Sequence, residues 1–207
     1  MSVKPIVHVI DDDEAVRDSL AFLLGTSDFE VHTYESARRF LDQLGDAVTG
    51  CIVTDVRMPE LSGIDLLRRL SEAGRRVPVI VITGHGDVPL AVEAMKAGAV
   101  DFIEKPFHDD TLFAAISAAL QADEEASRKA REKAVARAKI AALSHRERQV
   151  LDALVAGHAN KVIAGELGIS PRTVEVYRAN LMTKMQAASL SALVRLAIAA
   201  DLPEESG

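Results

Sequence analysis

A chain of 207 residues is long for one compact domain and comfortable for two of about 100 residues each. With 48% hydrophobic residues it has the material for two cores, and its single cysteine, Cys51, excludes an internal disulfide and a thiolate metal cage. The formal charge of −7 argues against nonspecific nucleic-acid affinity of the whole chain, and no apolar run reaches the roughly 18 residues of a membrane span.

In chain order, residues 1–13 lack the basic start and cleavage site of a signal peptide, which predicts a cytoplasmic protein. Short apolar runs of β type follow at residues 6–10, 29–33, 51–54, 77–82 and 100–103. Helix-length stretches separate them, with apolar residues three and four apart: Val16, Leu20, Leu23 and Leu24, then Ile64, Leu67 and Leu70, then Val92 and Met95. Strict alternation of strand and helix predicts a doubly wound α/β fold, a five-stranded parallel sheet with helices on both faces. Ser36 and Ser62 are placed as helix N-caps, and Gly98 sits where a helix stops. Cys51, in the run Cys51-Ile52-Val53, reads as a small buried strand residue rather than a reactive thiol.

From about residue 120 to 139 the stretch QADEEASRKAREKAVARAK has no Gly or Pro and is rich in strong helix formers. Glu124 with Arg128 and Glu125 with Lys129 form favourable i,i+4 pairs. The expectation is a largely solvated helical spacer, with a faint Ala/Val stripe. Beyond it lie four short helical patterns and no strand. Ser144-His145-Arg146-Glu147 is a capping box that opens the first. The second covers about 161–167 and is stopped by Gly168. The third opens at Ser170-Pro171 and runs to about Met185. The fourth covers about 189–200. Charge follows the same division. Residues 1–122 hold 20 acidic and 11 basic side chains, whereas residues 140–200 hold 4 and 7, so an acidic body precedes a mildly basic one.

The charged residues of the first body fall at strand ends. Asp11-Asp12-Asp13 follows the first strand, Asp55 the third and Lys105 the fifth. In an open parallel sheet the working crevice lies beyond the carboxyl ends of the strands where strand order reverses. With the order 2-1-3-4-5, Asp11, Asp12 and Asp55 converge there and Lys105 arrives from the side. Two unit charges ~4 Å apart repel by about 4 kcal/mol at an effective dielectric near 20. A hard divalent cation offsets this, and oxygen-only ligation with room for water suits Mg²⁺. The cluster therefore reads as a site for Mg²⁺-assisted phosphoryl transfer to a carboxylate, Asp55, with Lys105 pairing with the phosphoryl oxygens and the Thr83 hydroxyl bonding one of them. Taken singly, each member has a blander reading: a solvated Asp turn, a turn residue before Pro59, a surface bend at Lys105-Pro106. His85 reads as a loop residue.

The runs VIDDDEAVRDSL, VTDVRMPELSGIDLL and VIVITGHGDVPLAVEAMKAGAVDFIEKPF resemble the flavodoxin-like receivers of two-component response regulators over about residues 5–122. The resemblance implies that Asp55 is the phosphoacceptor, that Asp12, Asp55 and the backbone carbonyl of Arg57 hold Mg²⁺ with Asp11 assisting, that Thr83 and Phe102 form the switch pair, and that Lys105-Pro106 is cis. Asp13 is an acid beyond the family pair and receives no role.

In the second body, two helices separated by Gly168-Ile169-Ser170 suggest helix-turn-helix geometry. In SPRTVEVYRANLMTKM, Val174, Leu181 and Met185 share one face, with Tyr177 beside them. The other face offers Arg172, Thr173, Glu175, Val176, Arg178, Ala179, Met182 and Thr183, chemistry suited to base edges. Asn160, Lys161, Arg172 and Lys184 are placed for phosphates. Singly, each is also an ordinary solvated helix residue. The runs LSHRERQVLDALVAG, NKVIAGELGISPRTVEVYRANLMTKM and LVRLAIAA resemble the all-α, four-helix DNA-binding domain of LuxR-type and NarL/FixJ-type regulators, in which Tyr177 stands where members usually have His.

The combined expectation is a receiver at 1–122, a helical linker at 123–140 and a LuxR-type helix-turn-helix domain at 141–207. Such a chain is a phosphoacceptor rather than a turnover enzyme. It takes phosphate from a sensor histidine kinase, pairs as a homodimer through the fourth-helix, fifth-strand face, and binds promoter DNA. The resemblance further implies a FixL-like kinase, RNA polymerase as partner and nitrogen-fixation genes activated under low oxygen. Two rivals stand beside it. A phosphatase of haloacid-dehalogenase type needs a spaced Asp-x-Asp pair on its first strand, which the adjacent acids here do not supply. A constitutive DNA binder with a non-switching receiver is separated by comparing DNA affinity with and without phosphate.

Overall fold

A computed structural model describes residues 4–45, 48–84 and 88–201; His85 lies outside them. The chain divides into two compact units, Met1–Glu125 and Ala126–Gly207.

In the first unit strand and helix alternate: β1 (Ile6–Ile10), α1 (Glu14–Gly25), β2 (Glu30–Tyr34), α2 (Ala37–Gln43), β3 (Cys51–Asp55), α3 (Gly63–Glu72), β4 (Val79–Thr83), α4 (Val88–Lys96), β5 (Asp101–Glu104) and α5 (Asp109–Ala141). The strands form one five-stranded sheet in the order β2-β1-β3-β4-β5, every pairing parallel. β2, β4 and β5 each begin and end later than their apolar runs, because the ladder continues onto the polar residues Tyr34, Thr83 and Glu104 at the sheet's carboxyl edge. Period-two alternation splits the strand side chains between two cores. Val7, Val9, Cys51, Val53, Ile80 and Ile82 pack with Leu20 and Leu24 of α1 and Leu112 and Ile116 of α5. Ile10, Ile52, Val79 and Val81 pack with Phe40 of α2, Leu66, Leu67 and Leu70 of α3 and Ala94 of α4. Cys51 lies wholly inside, and burial pushes its thiol up to about 12, so it is an inert filler.

Helix starts follow the sequence signals. The Ser36 side chain accepts from the Arg39 amide, and Ser62 with Asp65 forms a capping box. Gly63 opens α3 against the backbone of Asp55; a Cβ there would collide with the Asp55 carbonyl oxygen, so the approach requires glycine. The inward face of α4 differs from the sequence expectation. Ala91 and Ala94 are buried, while Val92 and Met95 are 48% and 44% exposed. Small residues let α4 lie close to the sheet, and its larger apolar side chains point outward.

His8, in mid-β1, is buried against Phe40 and Tyr34. Its Nδ1 lies 3.2 Å from the Tyr34 hydroxyl and its Nε2 3.1 Å from the Thr49 carbonyl oxygen. A neutral ring satisfies both, donating from Nε2 and accepting the Tyr34 proton at Nδ1. Burial pushes this imidazole below its ordinary value, the Thr49 bond opposes the shift, and His32 adds to it.

The boundary between the units falls inside α5, which is unbroken through the segment read as a spacer. Its last turns are not solvated throughout. Ala136 and Ile140 are buried in the second core, with Val150, Leu151, Leu154, Ile163, Val174, Leu181, Met185 and Leu193. That core is enclosed by α6 (His145–Val155), α7 (Asn160–Leu167), α8 (Pro171–Met185) and α9 (Leu190–Asp201). Gly168, at φ +65°, ends α7 in the left-handed conformation, and Ser170 caps α8 with Pro171 in its first turn. No helix among the described residues is long and apolar enough to cross a membrane.

Candidate functional site

The sheet brings Asp11, Asp55 and Lys105 to one point. β1 and β3 are neighbours, so the residue after β1 and the last residue of β3 share an edge, and Lys105 follows β5. The Lys105 Nζ donates to Asp55 Oδ1 at 2.9 Å and to Asp11 Oδ2 at 3.2 Å. Asp11 is buried, and that burial raises its carboxyl. The Asp13 amide and Lys105 pull it back, while the Asp55 charge adds to the rise. Burial pushes the Lys105 amine toward neutrality, but hydrogen bonds and charge attraction from Asp55 and Asp11 outweigh it and the net shift is upward. Lys105 is thus held as an ammonium between two carboxylates.

The other carboxylate oxygens are also occupied. Asp11 Oδ1 accepts the Asp13 amide at 2.9 Å, and Asp55 Oδ2 accepts the Arg57 amide at 2.6 Å. Asp13, without a role in the sequence reading, is the N-cap of α1, its Oδ1 accepting from Ala15 and Val16. Arg17 is a further residue of the site, one to which the sequence motifs assign no role. Its Nη1 donates to the carbonyl oxygens of Asp11 at 2.8 Å and Asp12 at 3.0 Å, which pins the loop carrying both acids. The only sequence signal for it is its place one helical turn beyond Asp13.

Asp12 is exposed, and with Arg57 it lines a cleft of about 560 Å³ floored by Val56, Met58, Ile64 and Leu90. Among the described residues no group of three or more His, Cys, Asp or Glu side chains is arranged to hold a metal ion by itself. The donor set, carboxylates plus a backbone carbonyl beside an open cleft, is nevertheless all hard oxygen. It suits a cation such as Mg²⁺ that takes few protein ligands and keeps its waters. Thr83 ends β4 as a buried residue with its hydroxyl 3.4 Å from the Gly84 carbonyl oxygen. Phe102, in the adjacent strand, is 43% exposed, so the two expected switch residues lie on opposite sides of the surface. Lys105-Pro106 is cis.

In the second unit, α8 buries Val174, Leu181 and Met185, with Tyr177 half-buried against the same core. Its outer face exposes Arg172, Glu175, Val176 and Ala179, with Thr173 half-buried and hydroxyl-bonded to Ser170 at 2.8 Å. Lys161, on α7, is exposed. Three residues expected to reach DNA are engaged within the protein. The Lys184 Nζ donates to Glu147 Oε2 at 2.8 Å. Glu147 also accepts from Ser144, and Lys184 first, then Ser144, pulls its carboxyl down to about 2. Lys184 therefore ties the end of α8 to the start of α6. Arg178 and Asn160 bond each other, Nη1 to Oδ1, at 2.7 Å.

Comparison with known proteins finds relatives of both units. Residues 7–117 match the response regulator receiver domain, and residues 141–197 match the bacterial regulatory proteins of the luxR family. Transcriptional regulatory protein FixJ of Bradyrhizobium diazoefficiens is 56% identical over 205 residues, covering 98% of each chain. That of Azorhizobium caulinodans is 60% identical over 194 residues, covering 94% of this chain and 92% of its own. The crystal structure of full-length FixJ from B. japonicum superposes with a TM-score of 0.62 at 56% identity, covering 96% of this chain and 98% of the other. The chain belongs to the response regulators, as a transcriptional regulator that joins a receiver to a LuxR-type DNA-binding domain.

Proposed function

We propose that this regulator is switched by phosphorylation of Asp55. The observation that carries the reading is the Lys105 ammonium bridging Asp11 and Asp55 at the carboxyl edge of the sheet. A carboxylate oxygen of Asp55 attacks the phosphorus of a phosphohistidine on a sensor histidine kinase. The O–P bond forms, the P–N bond breaks, and the leaving imidazole takes a proton. Receiver domains generally bind Mg²⁺ at this site; here Asp11, Asp12, Asp55 and the Arg57 carbonyl would hold it, and when bound it supplies charge neutralisation for the transferred phosphoryl oxygens. Lys105 is already at Asp55 and pairs with the incoming oxygens, and the Thr83 hydroxyl donates to another. The added charge of roughly −1.5 to −2 draws Thr83 inward and frees space for Phe102 to leave the surface.

The output follows from that movement. With Phe102 turned inward, Val92 and Met95 of α4 and Val100 just before β5, all above 40% exposed, present the apolar face where a second receiver pairs. The homodimer places two α8 helices on half-sites about one helical turn apart or a multiple of it. Lys161 and Arg172 contact phosphates, and Thr173, Glu175, Val176 and Ala179 face base edges. The working parts are a receiver at 1–122, a helical linker at 123–140 and a DNA-binding domain at 141–207, in a cytoplasmic phosphoacceptor that is not a turnover enzyme. Kinship with proteins named FixJ supports a FixL-like kinase, recruitment of RNA polymerase and activation of nitrogen-fixation genes under low oxygen.

The test is labelling with acetyl phosphate and Mg²⁺. The wild-type chain takes the label, chelation of Mg²⁺ abolishes it, and Asp55→Asn blocks it. Equal labelling of Asp55→Asn overturns the acceptor assignment. Equal DNA affinity with and without phosphate favours a non-switching receiver.

A further inference from the structure

The helix-turn-helix contains a link between its two helices that its surface residues do not advertise. α7 is only eight residues long, and its N-cap, Ala159, makes no side-chain capping bond. A helix start without a cap leaves backbone N–H groups to water and is held mainly by packing. Ile163 and Ala164 supply that packing, but only from the fourth residue of the helix onward. At the first residue of α7, the Asn160 Oδ1 accepts from the Arg178 Nη1 of α8 at 2.7 Å, a contact that is partly buried. The bond is short and charge-assisted, of the stronger class for a neutral acceptor.

Arg178 lies in mid-α8, next to the outward-facing Ala179, and sequence alone makes it an attractive guanine reader. Its guanidinium is instead turned back onto α7. We infer that Arg178 is a positioning residue: through Asn160 it fixes the uncapped start of α7 against the recognition helix, and it reads no base. This rests on the proposal that α8 enters the major groove. The consequence for specificity is direct. With Arg178 and Lys184 both engaged in bonds within the protein, base discrimination along α8 falls to Thr173, Glu175, Val176 and Ala179. Their chemistry favours thymine methyls and the cytosine amino group over bidentate recognition of guanine.

The experiment uses the full chain treated with Mg²⁺ and acetyl phosphate, and duplexes that the wild type enriches from a random-sequence library. Affinity is measured for Arg178→Ala, Asn160→Ala and the double variant, across a salt series and on duplexes altered one base pair at a time. Positioning predicts that each single variant loses about tenfold on every duplex alike, that the double variant is no worse than either, and that neither sequence preference nor salt slope changes. Relaxed preference at one base pair for Arg178→Ala makes it a base reader and overturns the inference. So does a fall of about 0.9 in the salt slope, the mark of a phosphate contact, or additive losses in the double variant. Should Arg178→Ala fail to fold by circular dichroism, Asn160→Ala decides, since it keeps the charge; wild-type affinity there overturns the inference. Glu175→Ala and Val176→Ala check the underlying reading separately. If they leave the selected sequence unchanged, α8 is not in the groove; if they change it and Arg178→Ala does too, only the positioning role fails.

Discussion

Asp11 is a carboxylate kept where burial disfavours its charge, and that discomfort is measurable. Its folded-state value is raised above the ordinary 3.8, so the unfolded chain gives up this proton first, and at neutral pH the group works against folding. The penalty disappears as pH drops below the ordinary carboxylate value. Asp11→Asn should therefore raise the melting temperature by a few degrees at pH 7 without Mg²⁺ while weakening Mg²⁺ binding in calorimetry. An unchanged or lower melting temperature removes the argument. His8 gives the complementary case. Its value is lowered in the fold, so the unfolded state binds more protons once pH falls below about 6.5, and stability drops with it. Denaturant unfolding at pH 7.5 and 5.5 should show this loss in wild type and less of it in His8→Leu.

At the level of elements, Gly63 shows how one backbone approach serves the site. Because α3 starts against the Asp55 carbonyl, Gly63→Ala should lower stability by about 1–3 kcal/mol in denaturant titration and slow labelling of Asp55 with it. Retained stability would mean that the loop yields. The bond network at the start of α6 behaves differently. Glu147 is held at about 2 against an ordinary 4.5, so what it contributes is intact above 4.5 and vanishes as pH falls toward 2. Lys184→Met should move acid unfolding of this unit to higher pH. Much of this architecture was legible beforehand. Apolar runs gave the strands because a two-faced parallel sheet buries them, and Ser36, Ser62, Ser144 and Ser170 marked helix starts because capping is local. Convergence of Asp11, Asp55 and Lys105 followed from strand order. What escaped depends on side-chain direction. The inward alanines of α4, Arg17 on two carbonyls, and the capture of Arg178 and Lys184 are choices of rotamer and packing that spacing does not encode.

Across the whole molecule, acidic and basic chemistry are kept apart: residues 1–122 carry 20 acidic and 11 basic side chains, while residues 140–200 carry 4 and 7. Under the proposed switch, phosphate on Asp55 would add negative charge to the first half, which argues against activation by direct attraction of the receiver to DNA. The proposed pairing would add affinity instead, since two weak modules joined together bind far better than one. Val92→Asp places charge on the apolar α4 surface without touching the acidic site. In light scattering after acetyl phosphate treatment, this variant should stay near the 22.2 kDa monomer, label on Asp55 as wild type does, and lose DNA affinity. Dimer formation by Val92→Asp would move the interface elsewhere.

The buried sulfur of Cys51 has a practical corollary. A thiol enclosed by the sheet and held at about 12 stays unreactive toward maleimides at neutral pH, and the sequence contains no other. Nature has therefore supplied a silent background for spectroscopy. A single cysteine engineered onto either half would be the sole site for a dye or spin label, and a pair would report distances during activation in a chain otherwise left intact.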